Sequence, residues 1–202
     1  MGRKEVTTKK IIEAAISEFN ACGYEGANTN RIAERAGVSK GVIFLHFKTK
    51  DNLYVACLQR ILNGFSQSVA DLDLVKIEDI FQRLEVFANW KTNFFVSRKE
   101  QAKFVYNCHY ALSSNKEIAR KSAPMLQEYM KTLSVDIMEF DFDPTMYKEG
   151  ITKEKVKVYL EVIIAGLNAR FDKAMNFEDF PMDKLIEEYK GMIQAIKYGI
   201  LR

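Results

Sequence analysis

The stretch "ERAGVSKGVIFLHF", residues 34 to 47, decides how this chain is read. A helical segment ends at Gly37, which takes a left-handed backbone angle without a steric penalty. After one turn, Ser39 offers a hydroxyl to cap a new helix that runs only to about His46. Two short helices joined by a three- to four-residue turn containing Gly are the pattern of a DNA-binding helix-turn-helix. Ala33 keeps the crossing of the two helices close, and Val38 with Ile43 fills the wedge between them. Ile32 and Phe47 anchor the pair to the helix before it.

With Ile43 and Phe47 inward at i and i+4, the outward arc of the third helix is Gly41 and Leu45, flanked by Val42 and Phe44. Lys40 projects from its N-terminal end. An exposed Leu gains nothing in water but meets thymine methyl groups in a major groove, and Gly41 lets the backbone approach closely. The competing reading makes Val42, Phe44 and Leu45 core residues under another helix.

In order and spacing, Ile32-Ala33, Ala36-Gly37-Val38-Ser39, Gly41, Phe44, His46-Phe47, Lys50 and Leu53-Tyr54 resemble the signature of the TetR family of transcriptional regulators. The resemblance covers about residues 6 to 55. It implies phosphate contacts from Asn28 or Thr29, His46 and Lys50, and base-edge contacts from Lys40, Gly41, Val42 and Phe44. Val42 departs from the small or hydroxylated residue frequent at its place, at the cost of one hydrogen bond to a base. Phe44 replaces the usual Tyr, with loss of a hydroxyl that would reach the DNA backbone.

Around this motif the apolar spacing predicts an all-α chain of about nine helices. Ile11, Ile12, Ala15, Ile16 and Phe19 mark a first helix over 6–22, stopped by Gly23. Asn28 or Thr29 caps the second, and Thr49 and Asp51 open a long fourth helix to about Ala70 with Leu53, Ala56, Cys57, Ile61 and Phe65 on its apolar stripe. Further helices are expected over 76–97 and 99–112. Ser114 and Glu117 read as a capping box for a short helix, Pro124 as the opening of the next, and "FDFDPTMYKEG" as a loop before two last helices over 152–176 and 181–200. The expected division is a helix-turn-helix domain over 1–50 and a larger ligand-binding and dimerisation domain over 51–202.

Charge supports that division. Residues 1–50 hold nine Lys/Arg against five Asp/Glu, whereas the remainder holds 21 against 22. A basic quarter joined to a neutral body suits a nucleic-acid-facing module. Cys22, Cys57 and Cys108 form no CxxC pair, so no disulfide framework, metal site or cofactor is expected, and a reducing, cytoplasmic compartment is. No apolar run reaches membrane-spanning length, so no membrane partner is expected. Two histidines without H-x-x-x-H, and the lack of G-x-S-x-G, P-loop or dinucleotide fingerprint, leave no catalytic constellation; the chain reads as no enzyme.

The segments "VFANWKTNFFV" and "AKFVYNCHYAL" place Trp90, Phe94, Phe104 and Cys108, with Tyr129 and Leu133, at inward positions, and Asn93, Asn107 and His109 as polar partners. Apolar walls with a few polar groups suit a small-molecule site, although plain core gives the same stripe. The helix "KVKVYLEVIIAGLNARFDKAM" is apolar on one broad side through Val156, Tyr159, Leu160, Ile163, Ile164, Leu167 and Phe171. Val158, Val162, Ala165 and Ala169 make a second apolar side. With Met192 and Ile196 of the last helix, this second side is where the resemblance implies a two-fold helical bundle with a second copy. The expectation is a homodimeric repressor that leaves a palindromic double-stranded DNA operator when a small apolar or aromatic effector binds. The alternative is a DNA-binding activator or a non-inducible helical scaffold.

Overall fold

The computed structural model describes residues 2–174 and 182–201. At 3, 109–110, 129–137, 167–168, 171–174 and 182–183 it describes the backbone alone. The chain is all-α among these residues: α1 Arg3–Gly26, α2 Thr29–Ala36, α3 Lys40–Phe47, α4 Lys50–Ala70, α5 Ile80–Val96, α6 Lys99–Ser114, α7 Lys116–Met138, α8 Lys153–Ala174 and α9 Met182–Ile200. It divides into two compact units, one of residues 1–65 with 98–129 and one of 66–97 with 130–202.

The first unit is built on the apolar stripe of α1. Ile11, Ala15, Ile16 and Phe19 are buried with Ile32 and Ala33 of α2, Ile43 and Phe47 of α3, and Leu53, Cys57, Leu58 and Ile61 of α4. Gly23 kinks α1 at φ 66 and ψ 176 rather than ending it, and one more turn follows to Gly26. The carboxamide of Asn28 caps α2 by accepting from Asn30 N at 2.8 Å. Gly37 ends α2 at φ 66, ψ 37, the left-handed corner its position predicts. Ser39 Oγ accepts from Val42 N at 3.4 Å and Thr49 Oγ1 from Asn52 N at 3.1 Å, so α3 and α4 start where their hydroxyls were expected to start them.

Besides the end of α1, two boundaries differ from expectation. The fifth helix begins at Ile80 rather than near Lys76, because Asp79 Oδ1 accepts from the amides of Phe81 and Gln82 and so caps it there. The residues expected to be its first turn form a 3₁₀ turn instead, Leu74–Lys76. A single helix, α7, replaces the short helix and its successor. Asn115 rather than Ser114 is its cap, with Oδ1 accepting from Glu117 N and Ile118 N at 3.0 Å each. Pro124 lies inside α7, where it withholds one amide and crowds the preceding turn at a cost of about 3 kcal/mol. Burial of Ile118 and Ser122 and the Lys121–Asn52 bond at 2.6 Å hold the residues before the proline in helix.

In the second unit α5 packs on α9 and α8 on α9. Phe81, Leu84, Phe87, Phe94 and Phe95 are buried from α5, Val156, Leu160 and Ile163 from α8, and Leu185, Tyr189 and Ile193 from α9. The buried Arg83 donates from Nε and Nη2 to the Ile77 carbonyl at 3.0 and 2.7 Å, and from Nη1 to that of Glu139, tying both loops to α5. Tyr147 and Leu201 form an isolated antiparallel bridge.

Candidate nucleic-acid interface

The helix-turn-helix is held from behind by a buried carboxylate. Glu18 sits on the apolar side of α1 and is 2% exposed. Its Oε1 accepts from Asn28 N at 3.0 Å, from Arg31 Nε at 2.7 Å and from Arg31 Nη2 at 2.5 Å. These bonds, the Arg31 pair foremost, hold its carboxyl below the usual glutamate range against the opposing effect of burial. Arg31 Nη2 also donates to Gly26 O at 3.0 Å. One carboxylate therefore fixes the corner between α1 and α2.

On α3 the expected outward arc is exposed. Leu45 is 70% exposed and Phe44 39%, Gly41 and Lys40 are exposed, and Val42 is half-buried against the core. Lys40 Nζ lies 5.8 Å from the centre of the Phe44 ring. The competing reading of these residues as core is overturned for Phe44 and Leu45. Nothing among the described residues requires a glycine at 41, since an added Cβ would meet only Ser39 Oγ, at an ordinary 3.7 Å. At Gly37 the positive φ alone accounts for the glycine.

Around α3, Asn28 is exposed with its carboxamide oxygen spent on the cap, and Thr29 is half-buried. His46 Nδ1 lies 3.0 Å from Thr8 Oγ1, which is itself 3.0 Å from the Lys4 carbonyl. With the hydroxyl proton given to that carbonyl, the imidazole donates from Nδ1, which leaves Nε2 for another partner. Lys50 is turned to the protein. Its ammonium donates to the Glu25 and Ala27 carbonyls at 3.2 and 3.4 Å and stands 4.5 Å over the Tyr24 ring. Tyr24 in turn donates its hydroxyl to Asp51. Lys50 thus neutralises the C-terminal carbonyls of α1.

Residues 11–57 match the sequence profile of the bacterial regulatory proteins of the tetR family. Over that stretch the chain carries the N-terminal domain of the TetR family. Among TetR-family relatives it is 38% identical over 85 residues to the HTH-type transcriptional regulator RutR of Escherichia coli, a match spanning 39% of this chain and 40% of RutR. Its match to the HTH-type transcriptional repressor AcnR of Corynebacterium diphtheriae spans 34% of this chain and 36% of AcnR, at 38% identity. These aligned stretches cover well under half of either relative. The same fold occurs in the regulator FadR of Bacillus subtilis, solved in complex with stearoyl-CoA. There the TM-score is 0.68 at 19% identity, with 95% of this chain and 98% of FadR covered.

The residues expected to line a TetR-family effector site fall into both units. Trp90, Asn93 and Phe94 belong to the second; Phe104, Asn107 and Cys108 belong to the first. Trp90 packs between Phe87 and Phe94 at centroid distances of 5.7 and 5.3 Å and donates Nε1–H to Ser68 Oγ at 3.2 Å. Asn93 is exposed and so is not the inward polar partner expected, because it follows the buried Thr92 by one residue on α5. Phe104 and Cys108 are core residues packed with Phe19 and Tyr54. Burial pushes the Cys108 thiol up to about 11, against any thiolate redox role. The side chains of Tyr129, Leu133, His109, Leu167 and Phe171 lie outside the described residues. A cleft of about 720 Å³ in the second unit is walled by Phe81, Arg83, Phe140 and Tyr147, and none of the expected effector residues lines it.

On α8, Val156, Leu160 and Ile163 are buried. Val158 and Val162 are 52% and 66% exposed, and Ala165 and Ala169 are exposed with them. Met192 and Ile196 on α9 are half-buried. No helix among the described residues is long and apolar enough to cross a membrane, and no group of three metal-ligating side chains occurs among them.

Three features escaped the sequence reading: the Glu18–Arg31 clasp, the inward turn of Lys50, and the Tyr24–Asp51 bond. The first was signalled by a carboxylate at i+3 from Ala15 on an otherwise apolar face. Such a group demands a partner.

Proposed function

We propose that this chain is a DNA-binding transcriptional regulator, not an enzyme, and that it works as a homodimeric repressor. Residues 1–50 serve as the DNA-reading head and 51–202 as the sensing and dimerising body. The observation that carries the reading is the exposed apolar arc of α3, Phe44 and Leu45 beside Gly41, on a helix whose inner face is fully used. Lys40, Gly41, Val42, Phe44 and Leu45 meet base edges; Asn28 and Thr29 meet phosphates, as does His46 in the tautomer that carries its proton on Nε2, with the Thr8 hydroxyl turned to donate to Nδ1. Lys50 contributes chiefly by fixing the head, since two of its three donors are engaged within the chain.

Close approach of DNA accounts for the glycine at 41, as nothing among the described residues crowds it. Gly41→Ala is expected to keep or slightly raise the melting temperature, by about 0.5 kcal/mol of helix propensity. It is also expected to lower DNA affinity about tenfold, or about 1.4 kcal/mol. Unchanged affinity would remove this argument for groove contact.

The apolar stripe of Val158, Val162, Ala165 and Ala169 supports pairing of α8 and α9 with a second copy, since a soluble helix rarely leaves such a stripe to water. Val162→Glu is expected to convert dimer to monomer in sedimentation, with the helical signal retained. A dimer that persists at micromolar concentration would place the interface elsewhere. For the effector, the aromatic run Phe87, Trp90 and Phe94 and the solved FadR complex with stearoyl-CoA support a small apolar or aromatic molecule held by the second unit. Coupling runs along α4, which starts at the last residue of the head and continues past the unit boundary, by preferential effector binding to the state with the heads wrongly spaced.

Selection from random duplexes is the direct test. The expected product is an inverted repeat with half-site centres one helical turn or a multiple apart, bound with a steep inverse dependence on salt. Recovery of no sequence, with salt-insensitive binding, would leave the scaffold reading in its place.

A further inference from the structure

The outward face of α3 is almost without hydrogen-bond chemistry. Of its eight residues, Ile43 and Phe47 are buried, Val42 and His46 are half-buried, and Lys40, Phe44 and Leu45 are exposed beside Gly41. His46 is engaged with Thr8 and, in the tautomer that serves phosphates, is a donor; the Ser39 hydroxyl before the helix is engaged with the amide of Val42. Lys40 is left as the polar side chain on the exposed arc, and an ammonium donates without accepting. Its partner among the described residues is the Phe44 ring one turn on, with Nζ 5.8 Å from the ring centre. That contact keeps the long side chain beside the apolar arc instead of spread over many rotamers, so less ordering is left to do on DNA.

Such a surface selects bases by what it lacks. In the major groove, cytosine and adenine each present an amino group that needs an acceptor, guanine presents two acceptors, and thymine presents one acceptor and a methyl. With no side-chain acceptor on the exposed arc, an amino group pressed against Phe44 or Leu45 loses water and gains no partner. A thymine methyl there buries apolar surface on both sides, and guanine O6 and N7 suit the Lys40 ammonium. We infer that each half-site of the DNA target carries a guanine read by Lys40 and, about two base pairs away, thymines whose 5-methyl groups pack on Phe44 and Leu45. The spacing follows from the rise of about 1.5 Å per residue between Lys40 and Leu45 against about 3.4 Å per base step. This inference rests on the DNA-reading role proposed above and adds the bases that role selects. Phe44 is then a positioning residue for Lys40 as well as an apolar contact, which gives a ring without a hydroxyl its use at that place.

Duplexes selected from a random pool by the full chain supply the probe, and replacement of thymine by deoxyuridine removes the methyl alone. When uracil is scanned through the symmetry-related pairs of thymines, at least one pair is expected to weaken binding about fifteenfold, or about fourfold for each methyl lost. Leu45→Ala should bring the effect at that pair to within about threefold, because the alanine leaves the methyl little to pack on. Selection with Lys40→Met should lose the guanine and keep the thymines, and Phe44→Leu, which keeps an apolar contact but removes the ring, should weaken the guanine preference alone. Uniformly weaker binding by Lys40→Met with the guanine retained would assign Lys40 to phosphate and overturn its reading of guanine. Uracil tolerated within about twofold at every position overturns the methyl readout, a result the unmodified chain gives whatever the variants do. Selected half-sites with neither guanine nor thymine at their core overturn the inference and leave the DNA-reading role standing; recovery of no sequence overturns both.

Discussion

Leu45→Glu is expected to leave the melting temperature unchanged and to remove sequence-specific DNA binding. The side chain is 70% exposed and contributes little to the core, so the stability change stays within about 0.5 kcal/mol. On DNA the same change removes an apolar contact and sets a carboxylate among phosphates and base edges. A wrong contact at one base pair costs about 2 kcal/mol. Two heads reading two half-sites double this to about 4 kcal/mol, a loss on the order of a thousandfold. Leu45→Ala, which removes the contact without adding charge, should lose much less. Fluorescence anisotropy with a selected duplex at fixed moderate salt, beside thermal melts, measures both quantities. Retention of affinity within a few-fold in Leu45→Glu would show that α3 does not enter the groove by this face.

Arg31→Met is expected to be the most destabilising change at the surface of the head. Arg31 is itself half-exposed, but Glu18 beneath it is not, and removing the guanidinium strands a buried carboxylate with Asn28 N–H as its remaining donor in the clasp. Breaking such a pair from one side costs about 3 kcal/mol, about 10 °C in a chain of this size. Glu18→Gln, which keeps an acceptor and removes the charge, should cost about 1 kcal/mol.

The pH dependence separates this account from simple loss of packing. In the natural chain the Glu18 carboxyl is held below its usual range, so its contribution is present above about pH 4.3 and is lost as pH falls through the folded value. Without Arg31, burial dominates and raises that carboxyl, so mild acidification toward pH 5 should stabilise the variant relative to neutral pH. Opposite slopes in the two proteins are the expected result. Parallel slopes would show that Arg31 acts through its aliphatic stem alone.

The features of the head legible in the sequence are those whose chemistry closes within a few residues. Gly37 at its left-handed corner, the caps of Asn28, Ser39 and Thr49, and the inward pair Ile43 and Phe47 each satisfy a donor, an angle or a face locally, so composition at those positions is enough. Even so, local rules compete: Ser114 and Asn115 both suit a cap, and Asn115 takes it by receiving two amides. Pro124 reads as a helix start, yet it sits inside α7 because packing before it outweighs one missing amide.

Sequence by itself determined the helical class, the helix-turn-helix with its exposed apolar arc, and the two-sided character of α8, because periodicity and capping are properties of a single segment. Only the tertiary structure decided the pairings between segments. It joined Glu18 to Arg31 and Asn28, turned Lys50 onto the carbonyls of α1, and gave Phe104 and Trp90 to different units. A side chain's position along a helix says which face it occupies; which partner waits on that face is set by long-range packing, for which no local spacing rule exists.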